Sequence, residues 1–301
     1  MADGVQAFAP GKVILLGEHS AVYGEPAIAA AISRGVSAVA VPAAKSRFVA
    51  PAGLHASHVK SLKVAVERAF SVLKHPPVQV TLDSDLPLSM GLGSSGALSI
   101  AVARALIQSQ SLNGVAPQQQ VEAVAMEMEK TFHGTPSGID HLTSSRGGIQ
   151  YFQNRKPRAL KVAKPLQAVI ALVGERPSTR STVAALRARV DRWPTRYRRQ
   201  FKEIGLLVKE GAQAIERGDL ETLGDIMNSD HGILAGMGLS GEKTDAMVHE
   251  LRRLGALGAK LTGAGGNGGA VIALFSDSTA AFKKLKASGV QCFQSRFDGV
   301  S

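Results

Sequence analysis

Three charged side chains stand in surroundings that suggest phosphoryl-transfer chemistry. Lys12 lies in an apolar, glycine-flanked run, Glu129 is near the end of a helical pattern, and Asp140 follows the turn-rich segment 134–138. Of two carboxylates such as Glu129 and Asp140, one can hold a metal ion, while the other takes or orients the proton of an attacking hydroxyl. A structural alternative stays open at this point, in which Asp140 caps a turn and Glu129 is solvated.

A first loop, residues 10–24, surrounds Lys12, Glu18 and His19 with apolar neighbours that favour burial. Buried polar groups need partners or a cleft to face. A lysine beside a carboxylate can orient and acidify an alcohol, which agrees with the chemistry suggested for Asp140. The alternative is a surface hairpin with incidental charges.

A second loop, residues 86–97, leads directly into an Ala- and Leu-rich helical pattern over 95–107. Its glycines allow backbone N–H groups to converge, and the helix N-terminus adds partial positive charge, so the segment can cradle an anion. The hydroxyls of Ser94 and Ser95 can bind phosphate or Mg²⁺. A flexible turn that only caps the helix is the alternative.

A third loop lies within residues 255–275, where five of the seven residues from Gly263 to Gly269 are glycine. Dense glycine is typical of a loop that lies flat against a ligand. A flexible linker is the alternative, but linkers are seldom bracketed by two buried strands.

Other nucleotide-binding patterns do not account for these glycines. Gly91, Gly93 and Gly96 match the dinucleotide fingerprint, but residues 97–121 contain no Asp or Glu to bind the ribose. The Gly11–Lys12 pair is followed by Val13, so it is not a Walker A loop. The protein-kinase signature is also absent.

The elements that must position these loops mix strands and helices in both halves of the chain. This mixture without strict alternation favours an α+β fold over a doubly wound sheet. A polar, turn-prone segment at 153–158 indicates a boundary between domains 1–155 and 160–301. The predicted helices cover 57–73, 95–107, 118–130, 181–191, 195–217, 220–235 and 240–254, and the predicted strands cover 5–9, 12–17, 77–83, 147–152 and 166–173, before a strand–loop–strand–helix–strand run over 258–297.

The bulk composition sets limits on the class of protein. The 301 residues are 45% hydrophobic, enough for two ordinary domains, and no apolar run reaches the ~20 residues of a membrane span. We expect a cytoplasmic protein, since the N-terminus lacks a signal-peptide pattern and Cys292 is the one cysteine. The net charge of +11 favours anionic partners such as ATP, and the basic stretch 187–202 is either a solvated surface or a polyanion-binding patch.

The three loops together resemble the motifs of the GHMP kinases, in the order in which that family carries them. The matching segments are Pro10–His19, Gly91–Ala97 and Lys260–Gly266, and they span nearly the whole chain. Any one of them is a weak signal, whereas three in order are specific. Glu129–Lys130 and the segment His133–Asp140 are most similar to the mevalonate kinase branch of the family.

The resemblance implies a two-domain α+β GHMP kinase fold, with an N-terminal half like domain 2 of ribosomal protein S5 and a ferredoxin-like C-terminal half. It implies ATP between the domains, Mg²⁺ as the metal and mevalonate as the acceptor. By position, Asp140 would act on the substrate hydroxyl and Lys12 would stabilise the alkoxide or Asp140. The other implied contacts are His19, Glu18 and Thr262 for substrate and transferring phosphate, Ser95 and Glu129 for the metal, and Pro87, Met90, Gly91, Leu92, Gly93, Ser94, Ser95, Gly96, Gly263 and Gly265 for the nucleotide.

Two positions depart from the family pattern: Asn267 interrupts a glycine run, and His141 stands where Asn is common after the aspartate. His141 therefore bears on substrate choice. Another GHMP kinase acting on galactose, homoserine or phosphomevalonate is the nearest alternative. A basic RNA-binding protein is a further one, although it leaves Glu129 and Asp140 without a function. We expect no membrane or nucleic-acid partner, and a homodimer is possible.

Overall fold

The computed structural model describes residues 4–51, 56–87, 90–111, 114–134, 136–174 and 179–299. Its contacts divide the chain into two compact units that are interleaved along the sequence. The first unit contains Met1–Lys12, Ser33–Pro87 and Gly93–Gly147, and the second contains Val13–Ile32, Leu88–Leu92 and Gly148–Ser301. Among the described residues, every helix is too short or too polar to span a bilayer.

Two long strands pass from one unit into the other, β1 (Val5–Leu16) and β2 (Ala27–Pro42), and they pair with each other. The sequence predicted two short strands where β1 is continuous, and it predicted none over β2. Pro10 lies in the gap between the two predicted strands. Proline is tolerated in a strand whose N–H is not needed by a second neighbour, and β2 is the one strand that pairs with β1 among the described residues. β2 was missed because its Ala-rich sequence lacks a clear alternation over its first half.

The first unit stacks helices on part of a sheet. Its further elements are β3 (Arg47–Val49), α1 (Ala56–Leu73), β4 (Val78–Ser84), α2 (Ser94–Gln110), α3 (Gln118–His133) and α4 (Ile139–Arg146). β4 pairs antiparallel with β2 and parallel with β3. Helix α2 contacts α1, α3 and α4, as its apolar sequence predicts, and it is buried over most of its length. Helix α4 was not predicted, because its eight residues are too short and too polar for a clear pattern.

From Gly148 onward, the second unit continues with the hairpin β5 (Ile149–Gln153) and β6 (Lys156–Ala159), and β5 pairs with the start of β2. Asn154 and Arg155 form the turn with φ of 51° and 63°, so the predicted polar turn is a tight hairpin. Its remaining elements are β7 (Leu166–Val173), α5 (Thr179–Arg192), α6 (Pro194–Arg217), α7 (Leu220–Gly236), α8 (Glu242–Arg253), β8 (Gly258–Thr262), β9 (Gly269–Phe275), α9 (Thr279–Ala287) and β10 (Cys292–Phe297).

These last strands form an antiparallel sheet in the order β10-β7-β9-β8. Successive strand residues point to opposite faces. Val169 and Ala171 therefore pack into a core with Val248 of α8 and Leu285 of α9, whereas Ala168 on the other face lies near residues of α7. The predicted order of strand, loop, strand, helix and strand over 258–297 is confirmed.

Candidate active site

In the first unit, Lys12 and Asp140 form an ion pair. Their Nζ and Oδ1 atoms are 3.1 Å apart, with the lysine side chain 5% exposed and the aspartate 31% exposed. Burial alone would raise the pKa of Asp140, but the charge and hydrogen bond of Lys12, with smaller contributions from His133 and His141, hold this pKa below its usual value. Asp140 is therefore ionised at neutral pH, and it keeps an accessible surface for a ligand.

The position of Asp140 depends on a close approach between two helices. It lies in the first turn of α4, after Gly138 at φ 93°. A Cβ added at Gly96 of α2 would lie 2.7 Å from the Asp140 carbonyl carbon and from the His141 amide nitrogen. Since no side chain fits at Gly96, glycine at this position lets the start of α4 contact the start of α2. The predicted stiff turn includes Thr135, which lies outside the described residues.

Glu129 on α3 is buried at 1% exposure beside two serines of α2. The Ser95 hydroxyl donates to Glu129 Oε2 at 3.3 Å, and the Ser99 hydroxyl donates to Oε1 at 3.2 Å. The predicted meeting of Ser95 with Glu129 is thus present. Ser99 was not predicted, although its spacing of four residues from Ser95 places both hydroxyls on one face of α2.

Glu129, His133 and Asp140 each offer a ligand atom, and these atoms lie within 4.8 Å of one another. His133 Nε2 is also 3.1 Å from the Ser95 hydroxyl oxygen. No role was predicted for His133 from the sequence, although it lies four residues after Glu129 on the same helix face. The structure therefore gathers two carboxylates, a hydroxyl and an imidazole around one point in the first unit.

The electrostatics of this cluster favour a cation. Burial, followed by the charge of Asp140, raises the pKa of Glu129 to about 8, although Ser95, Ser99 and Lys12 oppose the shift. A bound cation would relieve the repulsion between the two carboxylates. The donors from Ser95, Glu129 and Asp140 are oxygens, which are the ligands that Mg²⁺ prefers.

The predicted phosphate loop ends in the N-terminus of α2. Gly93, at φ 69°, is the residue before the helix, and its carbonyl accepts from the Ala97 amide at 3.0 Å. Pro87, Met90, Gly91, Ser94 and Ser95 are partly exposed, whereas Leu92 and Gly96 are buried. Residues 88 and 89 of the predicted loop lie outside the described residues. The described part retains the glycine backbone that an anion cradle requires, and among the described residues no side chain caps the N-terminus of α2.

In the second unit, the end of β1 and the loop after it contact the end of β8 and the glycine loop after it. The Thr262 hydroxyl accepts from the Ile14 amide at 2.9 Å and donates to the Ile14 carbonyl at 3.0 Å. His19 Nε2 lies 3.0 Å from the Ala264 carbonyl oxygen. The predicted substrate residues His19 and Thr262 therefore each form a hydrogen bond between the segment that contains β1 and the segment that contains β8.

Gly263 lies close to Gly91, the first glycine of the predicted phosphate loop. A Cβ on Gly263, whose φ is 82°, would be 3.2 Å from the Gly91 carbonyl oxygen. Gly265 also approaches its neighbours closely, since an added Cβ would lie 2.2 Å from the Leu239 carbonyl oxygen. These contacts within the second unit account for two of the five glycines, and the ligand contact predicted for this loop stays a prediction.

Glu18 has a different environment from the one expected of a substrate contact. Its side chain is fully buried and hydrogen bonds to Lys260, which also lies 3.2 Å from Asp230 Oδ2. Burial raises the pKa of Glu18 to about 8, with Lys260 opposing the shift and Asp230 adding to it. A buried carboxylate with these partners presents no surface to a substrate, so the geometry favours a structural role for Glu18.

The basic stretch 187–202 surrounds the corner between α5 and α6. An open cleft of about 640 Å³ there is lined by Arg192, Trp193, Arg196 and Arg199, together with Glu203. The Arg192 guanidinium lies 5.3 Å from the centre of the exposed Trp193 ring. Both interpretations given for this stretch, a solvated surface and a polyanion-binding patch, stay predictions.

Comparison with known proteins explains the arrangement of the motifs. The model of the GHMP kinases N terminal domain matches residues 57–148, and the model of the GHMP kinases C terminal domain matches residues 212–290. The chain belongs to the GHMP kinase family. The family identification made from the three loops is thereby confirmed.

Related GHMP kinases cover almost the whole chain. The mevalonate kinase of Aeropyrum pernix is 36% identical over 299 residues, covering 92% of this chain and 90% of that protein. The mevalonate kinase of Pyrococcus horikoshii is 33% identical over 297 residues, covering 89% and 88%. The crystal structure of L. major mevalonate kinase in complex with R-mevalonate is 26% identical, with a TM-score of 0.84 and coverage of 100% and 97%.

The predicted α+β GHMP kinase fold is confirmed by these matches and by the two sheets. Similarity to these proteins does not test the roles assigned to individual residues, and these roles stay predictions. The same holds for the domain boundary placed between residues 155 and 160.

In a GHMP kinase with phosphates over the second loop, Gly93→Ala is expected to weaken ATP binding by about 10-fold or more. The new Cβ would lie 2.7 Å from Lys12 Cγ, on a backbone at φ 69° that disfavours alanine. Since Lys12 must shift, kcat should fall as well. Nucleotide titration by calorimetry and steady-state kinetics would measure both effects.

Gly114→Ala is the matched control for Gly93→Ala. Gly114 has a similar φ of 63°, but an added Cβ there meets nothing within 4 Å. It carries the backbone strain without the clash, so its ATP affinity should match the wild type. Equal ATP affinity in both variants would place the phosphates away from Gly93.

Proposed function

We propose that this GHMP kinase transfers the γ-phosphate of ATP to the primary hydroxyl of mevalonate, giving 5-phosphomevalonate. The observation that carries the proposal is the buried Lys12 paired with an accessible, ionised Asp140 at 3.1 Å, beside Glu129 and Ser95. Relatives bearing the name mevalonate kinase, which are more than 30% identical over most of both chains, support the choice of acceptor.

In this proposal, Asp140 takes the proton of the mevalonate hydroxyl as its oxygen attacks phosphorus. An ionised carboxylate with a third of its surface exposed meets the two requirements of a general base, charge and access. Lys12 keeps Asp140 ionised and stabilises the negative charge that develops on the attacking oxygen. Phosphoryl transfer depends mainly on positioning and charge stabilisation, so one such pair is sufficient protein chemistry.

We assign Ser95 and Glu129 to hold Mg²⁺, with Asp140 close enough to share it. The oxygen donors and the raised pKa of Glu129 fit a hard divalent cation. When bound, Mg²⁺ would neutralise phosphate charge. The amides at the start of α2 would bind phosphate oxygens, and the glycine at position 96 keeps α4 and Asp140 close to that helix terminus.

For the second unit, we assign His19 to the substrate and Thr262 to the transferring phosphate. Gly263 and Gly265 are assigned to the nucleotide. Glu18 is left with a structural role because of its burial. A homodimer and a cytoplasmic location stay predictions from the sequence.

The test is an ADP-release assay with the purified chain, ATP and four acceptors: mevalonate, galactose, homoserine and phosphomevalonate. We expect kcat/KM for mevalonate to exceed the others by about 100-fold or more, since a site with buried polar groups discriminates strongly against a poorly matched acceptor. A higher kcat/KM for another acceptor would assign the chain to a different activity within the GHMP kinases. The identity of the product would be checked by mass spectrometry.

A further inference from the structure

The second unit contains a buried charged cluster that the proposed mechanism does not use. Glu18, Asp230 and Lys260 are each fully buried at 0% exposure, and they come from the loop after β1, from α7 and from β8. Lys260 Nζ contacts both carboxylates. Burying three ionisable groups costs free energy that apolar side chains would not. A cluster of this kind therefore calls for an explanation beyond stability.

Lys260 lies in β8, the strand that precedes the glycine loop, and its ion pair with Glu18 connects this strand to the loop after β1. Glu18, its partner, directly precedes His19, and Thr262 follows it by two residues in β8. Ile14, the partner of Thr262, precedes Glu18 by four residues, and His19, which bonds to Ala264, follows Glu18 directly. A shift of Lys260 would therefore move both residues that we assign to the substrate and the transferring phosphate.

His19 has a backbone conformation that needs such support. Its φ is 61° and its ψ is −36°, which is costly for a residue with a Cβ. Conformations of this kind persist only when the surroundings fix them. The ion pair of Glu18 fixes the residue before His19, and the 3₁₀ helix Ser20–Tyr23 begins directly after it.

Asp230 is aligned with Lys260 by contacts between α7 and β8. The Asn228 side chain accepts from the Ala259 amide at 3.1 Å and donates to the Leu257 carbonyl at 3.1 Å. His231 Nδ1 accepts from the Leu261 amide at 3.4 Å. Asp230 lies between Asn228 and His231 in α7. It pairs with Lys260, which lies between Ala259 and Leu261 in β8.

We propose that Lys260 and Asp230 are positioning residues, which act through Glu18 to hold His19 and Thr262 in place for the reaction. This inference rests on the proposed function for the roles of His19 and Thr262. Neither positioning residue needs to contact substrate. If all three side chains are replaced together by neutral ones, no buried charge is left without a partner.

The main test replaces the cluster by neutral side chains of similar size, in the triple variant Glu18→Gln, Asp230→Asn and Lys260→Met. We expect it to fold, and its kcat/KM for mevalonate to fall about 10- to 100-fold. The second measurement is the ¹H–¹⁵N spectrum of histidine side chains, with the His19 signal assigned by its loss in His19→Gln. In the triple variant this signal should shift or broaden, because the bond to Ala264 is no longer fixed.

Ser295→Ala is the matched control, since Ser295 is buried in the same unit on β10, at the sheet edge opposite β8. Its kinetics and its His19 signal should match the wild type. If the triple variant does not fold, the same two measurements are made on the single variant Asp230→Asn, because it leaves the pair of Glu18 and Lys260 intact. We expect this single variant to raise the KM for mevalonate several-fold and to shift the His19 signal in the same direction.

Wild-type kinetics and an unchanged His19 signal in the folded triple variant, or in Asp230→Asn if the triple does not fold, would overturn the inference. Failure of the proposed function gives a different result. In that case the wild-type chain would not phosphorylate mevalonate, while the His19 signal would still report whether Lys260 and Asp230 hold the loop.

Discussion

Asp140→Asn is expected to lower kcat by at least ~100-fold while ATP still binds, because removing a general base typically costs about 10²–10⁴-fold. Asparagine has nearly the same shape as aspartate, so the first turn of α4 should be retained. The amide cannot take a proton from the mevalonate hydroxyl. Single-turnover kinetics with saturating ATP would measure the chemical step, and calorimetry would measure nucleotide affinity.

Lys12→Met tests the same step from the other side of the ion pair. It should also lower kcat, because Asp140 loses the cation that holds its pKa down. In the double variant the two losses of kcat should not multiply, because two side chains 3.1 Å apart act on one proton. Multiplicative losses would indicate that Lys12 and Asp140 act independently.

Asp225→Asn on the exposed face of α7 is the control for the chemical change itself. It should keep wild-type kinetics. If Asp140 only caps α4, the amide would substitute for it with little effect on rate. An Asp140→Asn enzyme that turns over within a few-fold of the wild type would therefore refute the base assignment, although membership of the family would stand.

Glu129→Gln is expected to raise the Mg²⁺ concentration needed for half-maximal activity by about 10- to 100-fold, the usual cost of disturbing a metal site. The glutamine amide can accept from one of the hydroxyls of Ser95 and Ser99 and donate to the other, but it lacks the charge that would hold the cation. Activity measured against free Mg²⁺ at fixed ATP would show the shift. A large loss of kcat should remain even at high Mg²⁺.

The pH dependence of Mg²⁺ binding follows from the same residue. The pKa of Glu129 is raised to about 8 without a cation, so this carboxyl is protonated at pH 6 and mostly ionised at pH 9. A cation competes with that proton, and the apparent affinity for Mg²⁺ should therefore rise with pH across this range. In Glu129→Gln this pH dependence should be lost.

Glu127→Gln is the matched control for Glu129→Gln. Glu127 lies on the same helix, paired with Arg68 and Lys130 at the surface. Its Mg²⁺ requirement should be unchanged. If both variants responded alike, the effect would come from the charge of α3 in general, and the metal assignment to Glu129 would be wrong.

The sequence by itself determined the family, the fold class and the loops that carry the candidate site. These features are local, since glycines fix where the backbone can approach an anion and apolar periodicity fixes the buried helices. The helix predicted over 95–107 is present for that reason, whereas the meeting of Ser95 with Glu129, 34 residues apart, was implied by the family resemblance. β2 and α4 were missed because their sequences carry no clear period.

Only the tertiary structure decided which of the charged site candidates keep an accessible partner and which are buried. Lys12 and Glu18 are six residues apart in one strand–loop segment, and both looked like site residues in the sequence. Folding pairs Lys12 with the accessible Asp140 and pairs Glu18 with the buried Lys260, which lies 242 residues away. The physical reason is that burial and the charge of a partner depend on elements distant in the chain, and these two quantities decide whether a carboxylate can bind a ligand or only support the loop that does.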